Sequence, residues 1–369
     1  MTVAFMDPNF ELPSKIKANI AIERELGFWD LKASAEIEQA YTQKDVFYTN
    51  INLSNTRTGP DGRKLYFSTY SAASSGTSLV SNLFTNRTIK VGNTSKGEGR
   101  TVSVSIERPR KKDGWYWKAS YVNTNTNEVL YGTSSVAASN WNNRSIFNAN
   151  DEELARASLE IRHKFLINIT KDFELIDGYR TTASLLYEGR SGYPFSFVYS
   201  GDTNGDSQTQ NDLLYVPTRS GDTRVRFATA LDQENFFKIV DRFGLAEGQA
   251  VSANSHRYPW VNTFDFSLKQ EIKLPAWRHR LVLGADILNV GNLINSKWGL
   301  IRGSNQFFVK REQVAAAAFD ATANGGQGQY VYSNVSAALA SGSDFNPSLG
   351  RGEPAATRWS VLFSARYEF

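Results

Sequence analysis

The feature that most constrains this chain is a period-two alternation of apolar and polar side chains, recurring at strand length from one end to the other. In an extended strand successive side chains point to opposite faces, so strict alternation marks a sheet with one apolar and one polar face. The last segment is the clearest. Trp359, Val361, Phe363, Ala365, Tyr367 and Phe369 share one face, and Arg358, Ser360, Ser364, Arg366 and Glu368 the other, with Leu362 the one apolar intruder. The same alternation runs through Ile16 to Glu23, Leu31 to Glu38, Val102 to Glu107, Trp115 to Tyr121, Leu159 to Ile169, Phe264 to Ile272 and Arg280 to Ile287. Charged or hydroxyl side chains line the second face of nearly every one.

Many of these segments run about ten residues, the length a tilted strand needs to cross a bilayer, whereas soluble strands average about five or six. In a soluble sandwich the polar face would meet solvent; in a membrane barrel it lines the lumen. Tryptophans near segment ends (Trp29, Trp115, Trp277, Trp298 and Trp359) and the terminal aromatic favour the barrel. Bacterial outer-membrane barrels commonly finish on an aromatic residue, which makes Tyr367 and Phe369 the expected signal to the barrel assembly machinery.

A mean hydropathy of −0.41 would ordinarily indicate a soluble chain. Strand alternation keeps that mean low even in a protein that spans the bilayer, and no run reaches the roughly 18 apolar residues of a membrane helix. The start, Met1 to Asp7, has no basic segment followed by an apolar one. A chain lacking such a leader is expected either to be soluble or to have its beginning further upstream.

Composition removes several chemistries. Cysteine is absent, which excludes disulfide scaffolds, thiol catalysis, cysteine-bound zinc and iron–sulfur clusters. The charge balance, 41 − 37 = +4, argues against a nucleic-acid coat. His163, His256 and His279 lie far apart, and neither a Gly-x-Ser-x-Gly elbow nor a phosphate loop occurs, so no enzyme activity is expected.

Connections come in two sizes, as in outer-membrane barrels. Short turns are expected at Glu25–Phe28, Arg110–Gly114, Lys171–Glu174 and Leu274–Trp277. Long polar loops are expected at 123–157, 201–260 and 302–356. The middle one holds the sharpest local motif. Asp202, Asn204, Asp206 and Asp212 resemble the first, third, fifth and last ligands of a calcium loop, with a main-chain carbonyl near Gln208 available. The loop lacks the glycine at position six and the glutamate at twelve of an EF-hand, and it reads equally as a turn rich in Asx caps. Further on, 232–243 has a helical stripe of Phe236, Ile239, Val240 and Phe243, with Asp232 as the expected N-cap and Gly244 as the stop.

The segment Tyr187 to Phe197, running into Asp202–Asp206 and then Asn211 to Pro217, resembles the Oar-like (OmpA-related) branch of TonB-dependent outer-membrane receptors. So do Asp7 to Pro13, Asn93 to Gly97 and Asp286 to Asn295, which spreads the resemblance over the whole chain. It implies an all-β antiparallel transmembrane barrel, of which this chain is the C-terminal part of 22 strands with the plug domain absent. It also implies residence in a Gram-negative outer membrane, in contact with lipid and lipopolysaccharide. Coupling to the TonB complex would run through an N-terminal region not in this sequence, and the transported ligand is not identified. A structural or adhesive barrel and a self-sufficient porin are the alternatives.

Overall fold

The computed structural model describes residues 2–28, 30–84, 87–274, 279–303, 309–342 and 357–369. The protein is mostly β. Nine long strands make up most of its largest sheet, a twelve-stranded one that also takes in the short strands Val3–Met6, Thr88–Thr94 and Ala155–Arg156: β1 (Ser14–Glu25), β2 (Lys32–Asn50), β3 (Glu98–Arg108), β4 (Trp115–Glu128), β5 (His163–Ile176), β6 (Tyr179–Arg190), β7 (Val261–Leu274), β8 (His279–Leu288) and β9 (Ser360–Glu368). Each pairs antiparallel with the next in chain order, giving an uninterrupted meander.

Register carries the sequence alternation across the sheet. Ile20 lies opposite Ile37, and Ile37 opposite Val102. Val104 meets Tyr121, and Tyr121 meets Phe165. Ile167 pairs with Tyr187, Tyr187 with Phe264, Phe266 with Ile287, and Ile287 with Val361. One face is thus a continuous apolar belt. On the reverse face Glu36 meets Ser103, Lys118 meets Asn168, Ser184 meets Ser267, and Lys269 meets Gly284. Side-chain hydrogen bonds knit that face together, Ser34 to Ser105 at 2.7 Å and Thr170 to Ser184 at 2.9 Å.

Among the described residues, most of the belt is left uncovered. Ile167 keeps 38% of its surface exposed, Phe165 41% and Phe363 79%. Soluble proteins rarely leave so extended an apolar face in water. No helix among the described residues is long and apolar enough to cross a membrane.

The meander is open. β1 and β9 are its first and last strands, and no pairing joins them among the described residues; beside β1, the upper part of β2 also pairs with Thr88–Thr94, which in turn pairs with Val3–Met6. Nine strands make eight antiparallel steps, so β1 and β9 run in the same direction.

The two ends of the sheet differ as expected, with shifted boundaries. Short links at 26–31, 109–114 and 177–178 close one end. The expected turn at Lys171–Glu174 is instead strand, because Asp172 pairs with Thr182 and the chain reverses at Asp177-Gly178, where Gly178 adopts φ 75°. Apart from Leu274, the Leu274–Trp277 turn lies outside the described residues, as does Trp29. The first long loop begins after Glu128 rather than at Asn123, since β4 continues to pair with β3 through Asn127.

At the other end the long links are not polar loops, and this is the main correction to the sequence reading. Together with 51–97 they fold into a cap that holds the hydrophobic core. A second sheet runs in the order Val225–Phe227, Gln329–Ser333, Arg311–Asp320, Pro194–Tyr199 and His256–Arg257. All six residues of Pro194–Tyr199 are buried, as a short continuous apolar run predicts for a strand covered on both faces. The Ala230–Phe243 helix packs Phe236, Ile239 and Val240 into this core and stops at left-handed Gly244. Its N-cap is Thr229, not Asp232. The Thr229 hydroxyl accepts from the Asp232 N–H at 3.0 Å and donates to the Asp232 carboxylate at 2.6 Å, a reciprocal cap three residues ahead of the expected one. Residues 304–308 and 343–356 of the last expected loop lie outside the described residues.

A buried clamp ties cap to wall. Glu160, only 4% exposed, accepts from the Thr126 N–H at 2.5 Å on β4 and pairs with Arg257 of the cap sheet. At the opposite end Gly114 sits at φ 76°, where an added Cβ would lie 2.4 Å from the Asp172 carbonyl oxygen. Gly114→Ala should therefore destabilise the β3–β4 hairpin by about 1–3 kcal/mol. Gly132→Ala, with open space around its Cβ, should change little in the same denaturation experiment.

Candidate functional site

The acidic segment 202–212 lies in the cap, folded over residues 61–67. Its conformation follows from short oxygen side chains that bond their own backbone. Asp202 Oδ1 accepts from Gly205 N at 2.7 Å and from Asp206 N at 3.2 Å, and Oδ2 accepts from Ser207 N at 2.8 Å. Asn204 Oδ1 accepts from Asp206 N at 2.9 Å, Asp206 Oδ1 from Gln208 N at 2.8 Å, and Asp212 Oδ2 from Thr203 N at 2.8 Å. Gly205 has to be glycine. Its φ is 82°, and a Cβ there would lie 2.7 Å from the Phe67 nitrogen.

Below the segment lies Arg63, a side chain wholly removed from solvent. Its guanidinium contacts Asp61 and Asp212, each at 3.3 Å, and donates to the Leu213 carbonyl. It also lies over the rings of Phe147 and Tyr199, at 4.8 and 5.4 Å. Tyr330 donates to Asp61 at 2.9 Å, Tyr199 and Tyr332 share a hydroxyl contact, and Tyr332 donates to the Tyr215 carbonyl at 2.9 Å. Burial opposes the Arg63 charge, but Asp61 and Asp212 outweigh it and hold the guanidinium firmly protonated.

One cation faces several acids. Burial pushes Asp206 well above the usual carboxylate range, and the neighbouring Asp212 and Asp202 push it further. Burial likewise raises Asp212 to about 7, against the pull of Arg63. Asp202 is raised by burial and partly restrained by the backbone N–H groups that it caps. Among the described residues, no lysine or arginine forms an ion pair with Asp206.

The fold brings the four sequence-predicted residues into one segment, but most of their oxygens are engaged with backbone N–H groups, and Asp212 turns toward Arg63. Among the described residues no three His, Cys, Asp or Glu side chains are arranged to hold a metal ion. Two oxygens nearby, Thr203 Oγ1 and Asn211 Oδ1, are buried without a hydrogen-bond partner. Arg63, Asp61 and the tyrosines were not legible as a group, because nothing in the Gly59 to Arg63 turn distinguishes it from a surface turn.

The histidines stay apart. His163 contacts the Tyr121 hydroxyl at 2.7 Å at the cap end of β5, and His279 contacts Tyr367 at the short-turn end of β8. His256 lies 3.0 Å from the Ser255 hydroxyl, but its other ring nitrogen faces the Phe243 carbonyl at 3.2 Å. Tyr367 and Phe369 lie on the apolar face at the short-turn end, with Phe369 almost fully exposed. No protein-family model matches this chain, and no curated protein matches it.

The raised carboxyl groups fix the direction of a pH effect. A folded pKa above the unfolded value means that the folded state holds protons the unfolded chain releases, so stability falls as pH rises. For Asp212 this window runs from its ordinary 3.8 up to about 7. His256, lowered by burial, works in the opposite sense, so the comparison with a variant isolates the acids. In calcium-free buffer the cap should melt at a lower temperature at pH 8 than at pH 5, and Asp206→Asn should flatten that slope. A wild-type profile that is level or rises with pH would contradict the assignment.

Proposed function

We propose that this chain is part of the membrane-spanning wall of a TonB-dependent outer-membrane receptor, with the ligand-facing cap folded on it. The observation that carries the proposal is the exposed apolar belt, continuous across nine strands and backed by a polar face. Short links at one end and folded segments at the other support the orientation, with the cap outside the cell and the short turns in the periplasm. Dependence on TonB rests on the sequence resemblance alone.

The polarity of the edges bears on closure. Because β1 and β9 run in the same direction, closing an antiparallel barrel takes an odd number of further strands. A receptor barrel of roughly 22 strands would supply about 13, which is odd. Polar side chains such as Lys164, Lys269, Asp265 and Arg366 share the reverse face and would meet a plug or a wet lumen.

Produced with a secretion signal in a Gram-negative host, the chain should sediment with the outer membrane and require detergent for extraction. A monodisperse, detergent-free soluble protein would overturn the reading. Ile167→Arg, on the belt, should cost about 2–4 kcal/mol and sharply lower the membrane yield. Asn168→Arg, on the reverse face, should be tolerated.

For the acidic segment the proposal is calcium at Asp202, Asn204, Asp206 and Asp212. It is supported by the buried Asp206 carboxyl group, which is hydrogen-bonded but faces no cation among the described residues, and by the two partnerless oxygens nearby, Thr203 Oγ1 and Asn211 Oδ1. Calcium at roughly millimolar concentration should raise the melting temperature of the cap. The response should vanish in Asp202→Ala with Asp206→Ala, and identical wild-type melts with and without calcium would sink the idea.

A further inference from the structure

Where β7 leaves the cap, the outward face carries an open groove of about 500 Å³ lined by Trp260, Phe264, Trp298, Leu300, Lys297 and Arg302 among others. The groove continues the belt. Trp260, Asn262 and Phe264 share the parity of Phe266 and Leu268, which lie in the apolar rows of the sheet. Phe264 packs against Tyr187 at 4.9 Å between ring centres, and Trp260 lies 6.1 Å from Phe165. Trp298 closes over the same spot, because Gly291 leaves room for both Phe264 and the Trp298 ring, each within 4 Å of where its Cβ would be. Trp260 and Trp298 remain 42% and 54% exposed.

The groove joins two chemistries. Its floor is aromatic and aliphatic, fit for acyl chains. Its rim carries two exposed cations, Lys297 and Arg302, and none of the described residues that line it is acidic. Amphipathic tryptophans favour the boundary between hydrocarbon and headgroups, and a guanidinium with an ammonium is a phosphate-binding pair.

We propose that this groove binds a phosphorylated glycolipid of the outer leaflet, of the lipid A type, with acyl chains against Trp260, Phe264 and Trp298 and a phosphate between Lys297 and Arg302. The assignment rests on the receptor-wall reading, which puts the cap end of β7 at the outer leaflet.

The test uses the full chain purified in detergent. Purified lipid A, its dephosphorylated form and inorganic phosphate are titrated against wild type and the Lys297→Gln/Arg302→Gln double variant, with tryptophan fluorescence and native mass spectrometry as readouts. Lipid A should bind the wild type at least ~10-fold more tightly than the double variant. Dephosphorylated lipid should bind both alike and weakly, and inorganic phosphate alone should not saturate. Trp298→Ala should weaken lipid A binding while leaving the chain in the membrane fraction. Equal lipid A affinity in wild type and double variant, or equal binding of the two lipids by wild type, would overturn the proposal. Membrane sedimentation, measured on the same preparations, separates the two claims. A chain that sediments with the membrane but ignores the phosphate loses only the groove, whereas a soluble chain loses both.

Discussion

Everything in this molecule depends on cross-strand register. Side chains alternate faces, so a slip of one residue between any two strands would put Lys118, Glu36 or Lys269 into the apolar belt and bury nothing in return. Nine strands hold one register with few irregularities, and the outcome is a sheet whose two faces are chemically opposite over its whole width. The hydroxyl pairs Ser34–Ser105 and Thr170–Ser184 sit on the polar face, where they satisfy each other without intruding on the belt.

The hydrophobic effect is divided unusually. The long strands bury few large apolar side chains, while the cap contains the dense cluster built around Phe195, Phe197, Tyr199, Phe236 and Tyr332. In water alone such a division would leave the sheet uncompensated. The cap nevertheless has the anatomy of an ordinary globular core: a sheet, a capped helix, and a buried arginine paired with acids. That arginine joins segments far apart in sequence, since Asp61 and Asp212 meet at one guanidinium. The Glu160–Arg257 clamp then fixes the cap to the upper ends of the wall.

The sequence made the wall legible and the cap largely opaque, for a physical reason. Period-two alternation is a local signal that survives in any single strand, and it located eight of the nine strands of the wall; it passed over Tyr179–Arg190 and stopped short on others, ending at Glu38 a strand that runs to Asn50. Its failures were local too. Lys171 to Glu174 looked like a turn because charged residues cluster there, yet Asp172 finds Thr182 across the hairpin and Gly178 supplies the reversal. In the cap, Pro194–Tyr199 and Arg311–Asp320 are neighbours in space but more than a hundred residues apart in sequence. Pairing of that kind is set by the whole core and leaves no periodic trace. The 202–212 segment lies between these cases: its oxygen spacing is visible in the sequence, whereas the burial that raises its carboxyl groups is not.

The shared direction of β1 and β9 acts as a polarity lock on assembly. Two copies placed side by side with both caps on the same side would present β9 of one to β1 of the other as a parallel pair, a junction that antiparallel walls do not use. Rotating one copy to restore antiparallel pairing would send its cap to the opposite side of the sheet plane's long axis. The open edges, ordinarily an invitation to indiscriminate pairing, are thus mismatched to their own kind, since an antiparallel continuation of either edge has to run in the opposite direction.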